Sequence, residues 1–143
     1  MTDTRPASKL EEYAIEGPGS VSTGNVAPLL HEIRHALQQW LDKGEEHAID
    51  LRGIPMTAAE EQKLTEVLGE GELVARLSLV GISEVIETRF PAVWMITHYN
   101  EEDKIVGRYI EICAIPAIVK SQQEDARAGL EQLGELLSAD QPH

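Results

Sequence analysis

A succession of short apolar segments separated by turn residues, between residues 48 and 115, constrains the fold more than any other feature of the sequence. A strand is predicted first, at residues 47–51. A helix follows it, because Thr57 and Glu60 have the spacing of a capping box and Gly69 ends the apolar periodicity. Alternating apolar and polar residues then predict four more strands, at residues 72–80, 83–90, 93–99 and 104–114. The connections between these four strands are short, so we expect an antiparallel meander.

Helical periodicity flanks this region on both sides. The first helix is predicted from Asn25 or Val26 to Asp42, with these apolar residues on one face: Val26, Leu29, Leu30, Ile33, Leu37, Trp40 and Leu41. A final helix is predicted to open at a capping box formed by Ser121 and Glu124 and to bury this stripe: Ala126, Leu130, Leu133, Leu136 and Leu137. The pattern indicates an α+β fold, with an antiparallel or mixed sheet of about five strands and three helices packed mainly on one face. One domain is expected over residues 25–138, with a flexible leader at 1–24 and a tail at 139–143.

The composition excludes several classes of function. The 25 acidic and 12 basic residues give a formal net charge of −13, which repels a phosphate backbone, so nucleic-acid binding is not expected. One cysteine, Cys113, excludes an internal disulfide and a four-cysteine iron–sulfur or zinc site, and its apolar neighbours predict a buried, inert thiol. No apolar run has the length of a membrane span and no signal peptide is evident, so we expect a cytoplasmic protein without membrane insertion.

Several short pieces follow one another in a characteristic order and spacing. They are Ala48-Ile49-Asp50-Leu51-Arg52-Gly53-Ile54-Pro55, Gly69-Glu70-Gly71, Phe90-Pro91-Ala92-Val93-Trp94, His98-Tyr99-Asn100 and Ile115-Pro116. By these residues the chain, from about Asn25 to Leu137, resembles the conserved C-terminal region of the HupH/HyaF family of hydrogenase expression/formation proteins. Ala92 stands where that family frequently has glycine.

The resemblance implies an accessory protein of nickel–iron hydrogenase maturation, associated with the small, iron–sulfur-carrying subunit and without established catalytic residues. The small-subunit precursors that such proteins serve carry a twin-arginine signal peptide. An acidic surface suits a cationic partner of this kind, although the charge also serves solubility.

His31, Glu32 and His35 match the H-E-x-x-H pattern, in which two histidines one helical turn apart bind zinc and the glutamate activates water. A metal-dependent hydrolase or metal-binding protein is therefore an alternative function. The helical periodicity places both imidazoles away from the apolar stripe, and no third ligand is evident. The main prediction accordingly has no catalytic residue and no cofactor, and His31 and His35 are the metal candidates of the alternative.

Charged and aromatic residues on the predicted strands are the candidates for partner binding: Glu84, Glu87, Arg89, Trp94, His98, Arg108 and Glu111. Helices on one face of the sheet leave the other face open, and we expect the charged candidates to form a cross-strand ladder there. Trp94 and His98 share one face of a strand. Trp94 either belongs to a recognition surface or fills the core with His98 at its wet rim, and the sequence leaves both readings open.

Four residues at the junctions are predicted to be structural anchors: Asp50, Arg52, Pro55 and Pro91. Asp50 and Arg52 flank the inward-facing Leu51, which favours an ion pair or a turn anchor at the end of the first strand.

These observations predict a non-enzymatic, chaperone-like maturation factor. Its expected partner is the hydrogenase small-subunit precursor or another hydrogenase accessory protein. A homodimeric structural module is a third reading of the sequence.

Overall fold

The elements of the protein follow the predicted order. The computed structural model describes residues 22–78 and 80–140. Its helices are α1 (Val26–Lys43), α2 (Ala58–Leu68) and α3 (Gln123–Ala139). Its strands are β1 (His47–Asp50), β2 (Val74–Ser78), β3 (Ile82–Glu87), β4 (Val93–Tyr99) and β5 (Ile105–Ile112). Most of the predicted leader lies outside the described residues, and no described helix is long and apolar enough to cross a membrane.

The strands form one sheet in the order β1-β5-β4-β3-β2, and every neighbouring pair is antiparallel. Strands β2 to β5 form the predicted meander, because each connection is short, and β1 adds to the free edge of β5. The predicted α+β class, with three helices and a five-stranded antiparallel sheet, is confirmed.

The main core lies between one face of the sheet and helices α1 and α2. The apolar stripe of α1 buries Val26, Leu29, Ile33 and Ala36. The residues of this core cluster are Leu29, Ile33, Ala36, Ile49, Leu51, Leu64, Leu68, Val93, Met95, Ile110 and Ile112. Burial of several large side chains at once is what fixes the two helices on this face.

The other face of the sheet carries a second, smaller cluster. Its buried members are Val85, Trp94, Ile96 and Cys113, and the partly buried residues packed against it are Ala75, Leu77, Ile118 and Val119. Ile118 and Val119 belong to the chain after β5, which turns back over this face through a 3₁₀ turn at Ala117–Val119. The sequence predicted that the second face is open. In the structure this face is covered near its centre, so that prediction is wrong there.

Helix α3 forms where the periodicity predicts it, but the predicted burial of its stripe is wrong. Leu130, Leu133, Leu136 and Leu137 are 69%, 56%, 69% and 60% exposed, and the helix has no buried residue. Its N-cap is Gln122 without a side-chain cap bond, so the predicted Ser121 capping box is also wrong. Periodicity reports that a helix has an apolar face, but it does not say which surface covers that face.

Strand β2 is shorter than predicted. It begins at Val74, and Leu73, which lies before it, is 56% exposed. Only Ala75 and Leu77 turn toward the second cluster, and Leu79 lies outside the described residues.

A tight turn connects β3 to β4, and it is closed by a hydrogen bond from Val93 N to Phe90 O at 3.0 Å. Ala92 has a φ of +75° in this turn, a backbone conformation that glycine adopts most easily.

Candidate partner-binding face

Trp94 lies at the centre of the second sheet face, where it is part of the core. It is only 4% exposed, and its indole Nε1 donates to Cys113 O at 3.0 Å. In the strand pairing, Trp94 lies opposite Glu87 on β3 and Glu111 on β5. Paired residues of antiparallel strands point to the same face, so the two carboxylates flank the buried indole. The structure thus supports the reading in which Trp94 fills the core.

His98 lies on the same face of β4 as Trp94, with Ile96 between them, and it is half-buried. Its Nδ1 is 2.7 Å from Ser83 Oγ, and its ring meets that of Tyr109 edge-on with 5.8 Å between centroids. Sequence reasoning missed both Ser83 and Tyr109. The strand register, which pairs Ser83 with His98 and Tyr109 with Ile96, was the missing information.

Glu111 is the electrostatically strained group of this face. Burial raises the pKa of its carboxyl above the ordinary value of 4.5, and the charge of Glu46 raises it further, while His98 acts in the opposite direction. Glu111 has no hydrogen bond or ion pair among the residues that the structure describes. We call Glu46, Glu87 and Glu111 the acidic face. His98 offsets part of this effect, and no described Lys or Arg forms an ion pair with Glu111.

A shallow pocket of about 250 Å³ opens beside Glu111, between β1 and the chain that follows β5. Its lining residues are Glu46, His47, Ala48, Glu111, Ile112, Cys113 and Ala117. Burial raises the pKa of the Cys113 thiol to about 11, and the charges of Glu111 and Glu46 contribute. At neutral pH the group is therefore an uncharged thiol and a poor nucleophile.

Two of the predicted partner-binding residues, Glu84 and Arg108, lie on the opposite face of the sheet. Arg108 Nη2 donates to Thr65 Oγ1 at 3.1 Å, and its Nη1 is 3.4 Å from Glu61 Oε1. Arg108 thereby ties β5 to α2. Glu84 lines a small pocket on the same side. The predicted single ladder of charges is wrong for this reason: the register distributes its members over both faces.

Arg89 is also engaged within the domain. Its Nη2 donates to Glu66 O at 3.3 Å, and its backbone N donates to Leu68 O at 2.8 Å, so it binds the C-terminal end of α2. Gly69 leaves room for the guanidinium, since a Cβ there would lie 2.9 Å from Arg89 Nε.

The junction residues make local contacts. Asp50 accepts a hydrogen bond from Arg52 N at 2.9 Å, while Arg52 Nη1 donates to Ile105 O at 2.6 Å, so Asp50 anchors the turn and Arg52 reaches β5. Pro55 O accepts a hydrogen bond from Asn25 Nδ2 at 2.7 Å, and Pro91 lies within the tight turn between β3 and β4.

His31 and His35 are both exposed on α1. Glu32, between them, has Oε2 at 3.3 Å from His47 Nε2. Over residues 22–78 and 80–140, no group of three or more His, Cys, Asp or Glu side chains has an arrangement that could hold a metal ion.

Glu60 is the residue whose importance sequence reasoning underestimated. Thr57 and Glu60 form the predicted capping box, yet Glu60 is also 1% exposed and accepts hydrogen bonds from Ser22, Thr23 and Gly24. Burial acts to raise the pKa of its carboxyl, but the hydrogen bonds from Thr57, Thr23 and Ser22 outweigh burial and lower the pKa below 4.5. Residues 22–24, which the sequence assigned to the flexible leader, are therefore hydrogen-bonded to α2 through Glu60.

Comparison with known protein families places this chain among the hydrogenase expression proteins. The chain belongs to the family described as HupH hydrogenase expression protein, C-terminal conserved region, which matches residues 23–139.

Individual relatives agree with this assignment. The solved structure of hydrogenase expression protein HupH from Thiobacillus denitrificans is similar with a TM-score of 0.78 and 35% identity, over 83% of this chain and 99% of that one. Hydrogenase expression/formation protein HupQ of Azotobacter chroococcum is 29% identical over 80% of this chain, and hydrogenase-1 operon protein HyaF of Escherichia coli is 28% identical over 78%. The chain spans 41% and 39% of the length of these two proteins.

Proposed function

We propose that this chain is a non-enzymatic accessory factor of hydrogenase maturation. In this proposal it acts in the cytoplasm and binds the immature small subunit, or another maturation protein, through the acidic face. Family membership and the names of the relatives support the role in hydrogenase expression. The observation that carries the binding role is the half-buried Glu111 beside Glu46, with no hydrogen bond or ion pair to Glu111 among the described residues.

Such an arrangement makes the charged form of Glu111 less favourable than it is in water, because partial desolvation and a like charge both raise the pKa of the carboxyl. Groups of this kind concentrate at functional sites, where a partner supplies the missing charge. A Lys or Arg side chain that enters the pocket beside Glu111 forms a charge-assisted hydrogen bond in partly desolvated surroundings. The acidic face therefore favours a cationic segment.

The mechanism is differential binding. An accessory factor must prefer the immature partner and release the mature one, which requires a contact that only the immature form offers. A basic precursor segment meets this requirement, because its removal or folding withdraws the cation from Glu111. Release then needs no chemical step on this chain.

The proposal is tested by capture of the purified small-subunit precursor on this protein, with and without the precursor's signal peptide, at low and at moderate salt. Capture that needs the signal peptide and weakens with salt is expected, since exposed charge pairs are screened. Capture that resists salt and does not need the signal peptide would place binding on another surface. Failure to capture either form in any condition would contradict direct client binding.

A further inference from the structure

Helix α3 presents an apolar face that nothing in the described chain covers. Its stripe of Ala126, Leu130, Leu133 and Leu137 repeats with the 4-3-4 spacing of a helix seam. A solitary helix of this length is marginal in water, and Gly129 and Gly134 each lower its stability by about 1 kcal/mol relative to alanine. The helix therefore requires a surface to pack on.

An apolar groove of about 350 Å³ lies on the other side of the sheet, between α1, α2 and the turn after β3. Its lining residues are Leu30, His31, Ile33, Arg34, Leu37, Val67, Leu68, Phe90 and Val93. Phe90, 40% exposed, stands at its edge. Among these described residues the ionisable side chains are Arg34 and His31, and no carboxylate lines the groove.

Helix α3 and the groove are complementary in polarity and in charge. The helix carries four acids, Glu124, Asp125, Glu131 and Glu135, against the single base Arg127. At 100° per residue, Asp125 lies about 110° from the centre of the stripe on one side and Glu131 about 130° on the other, so these two acids lie nearest the edges of a groove that holds the stripe. Glu124 and Glu135 lie on the far side of the helix. A groove edged by Arg34 in a chain of net charge −13 is an unusual surface, and it suits an acidic amphipathic helix.

The helix of the same chain is not positioned to fill this groove. Ile118 and Val119 fix the preceding segment on the opposite face of the sheet, against Trp94 and its neighbours. Residues 120–122 then connect that segment to α3, and three residues span at most roughly 10 Å. A second copy of the chain has no such restriction.

We propose that two copies of this protein form a dimer in which α3 of each copy packs into the α1–α2 groove of the other. The exchange is reciprocal, so one two-fold axis relates two identical interfaces and the assembly closes. This dimer does not depend on the proposed client, since neither α3 nor the groove contains a residue of the acidic face.

The test is sedimentation velocity on the full chain over a range of concentrations. The wild type is expected to dimerise, and Leu130→Glu/Leu133→Glu is expected to weaken the dimer by roughly thirtyfold or more, as for a central apolar contact. Ala128→Glu/Gln132→Glu is the matched control, because it adds the same charge on the far side of α3. Thermal unfolding of each variant shows whether the domain, which does not bury α3, is unchanged.

A groove variant, Arg34→Glu/Phe90→Glu, separates the exchange from simple α3–α3 pairing. Reciprocal exchange predicts that this variant and the leucine variant are each monomeric, and that an equimolar mixture forms a heterodimer with one intact interface. A groove variant that dimerises like the wild type would overturn the proposal. So would a wild type that stays monomeric at its highest soluble concentration, or a leucine variant that dimerises unchanged.

Discussion

Thr23 and Glu60 are 37 positions apart in sequence and bind each other through two hydrogen bonds. Thr23 Oγ1 donates to Glu60 Oε1 at 2.8 Å, and Thr23 N donates to Oε2 at 3.1 Å. The same carboxylate accepts from Thr57 N at 2.9 Å, at the start of α2. One buried side chain thus holds the segment before α1 against the N-terminus of α2, where a negative charge is also favoured by the helix dipole.

We expect Glu60→Gln to lower the free energy of unfolding by about 3 kcal/mol, because hydrogen bonds to a buried charged group are strong and the amide turns a donor toward backbone donors. Urea unfolding followed by circular dichroism measures the change. Glu66→Gln, on the exposed side of the same helix, is the matched control and is expected to change stability by less than about 0.5 kcal/mol. Equal effects of the two substitutions would contradict the role of Glu60.

The pH dependence of stability follows from the same carboxylate. Its pKa in the folded protein lies below 4.5, so its stabilising contribution is complete above pH 4.5 and is lost as the pH falls through the folded pKa. The stability difference between wild type and Glu60→Gln is therefore expected to be constant from pH 7 to pH 5 and to shrink below pH 4.5. Urea titrations at a series of pH values measure it, and a difference that grows on acidification would refute the assignment.

Ala92→Gly is expected to stabilise the protein by about 1 kcal/mol, because Ala92 has a φ of +75° and a side chain strains this conformation. Thermal or urea unfolding gives the value. Ala114→Gly serves as the control: Ala114 is exposed and has no positive φ, so glycine is expected to destabilise there through the unfolded chain. A destabilising Ala92→Gly would show that the turn does not carry the strain.

What the sequence could predict was set by how local each signal is. The capping box of Thr57 and Glu60 spans one helical turn, so the start of α2 was predictable. The contact between Glu60 and Thr23 was not, because nothing in either local pattern refers to the other. The strands and the meander of β2 to β5 followed from alternation and short connections, which act over a few residues, whereas the position of β1 beside β5 was not predicted.

The candidate site was less predictable, because it depends on register and on what covers each face. Alternation placed Trp94 and His98 on one side of β4, but only the pairing with β3 and β5 put Glu87 and Glu111 beside them and Arg108 on the other side. The turn at Ala117–Val119, which helps to bury Trp94, could not be predicted because three residues are too few to show a periodicity. The stripe of α3 was recognised, while its lack of an internal partner was not.

Glu111→Gln is expected to raise the free energy of unfolding slightly at pH 7, since it removes a partly desolvated charge next to Glu46, and solvent screening keeps the effect small. The pH dependence is opposite to that of Glu60. The pKa of Glu111 is raised in the folded protein, so the wild type recovers stability as the pH falls through that pKa. The advantage of the variant therefore disappears by pH 4.5 or below. Glu101→Gln, on an exposed turn, controls for net charge. Destabilisation by Glu111→Gln at pH 7 would mean that a cation already neutralises Glu111.

The central claim is that the acidic face binds a cationic segment of an immature hydrogenase subunit. The most direct measurement is the dissociation constant of the purified small-subunit precursor for wild type, for Glu87→Gln/Glu111→Gln and for the charge-matched control Glu101→Gln/Glu102→Gln, by calorimetry at low salt. The account predicts binding that is at least roughly tenfold weaker for the first variant, as for loss of a charge-assisted contact, and unchanged for the control. Equal affinity of both variants and the wild type would contradict it.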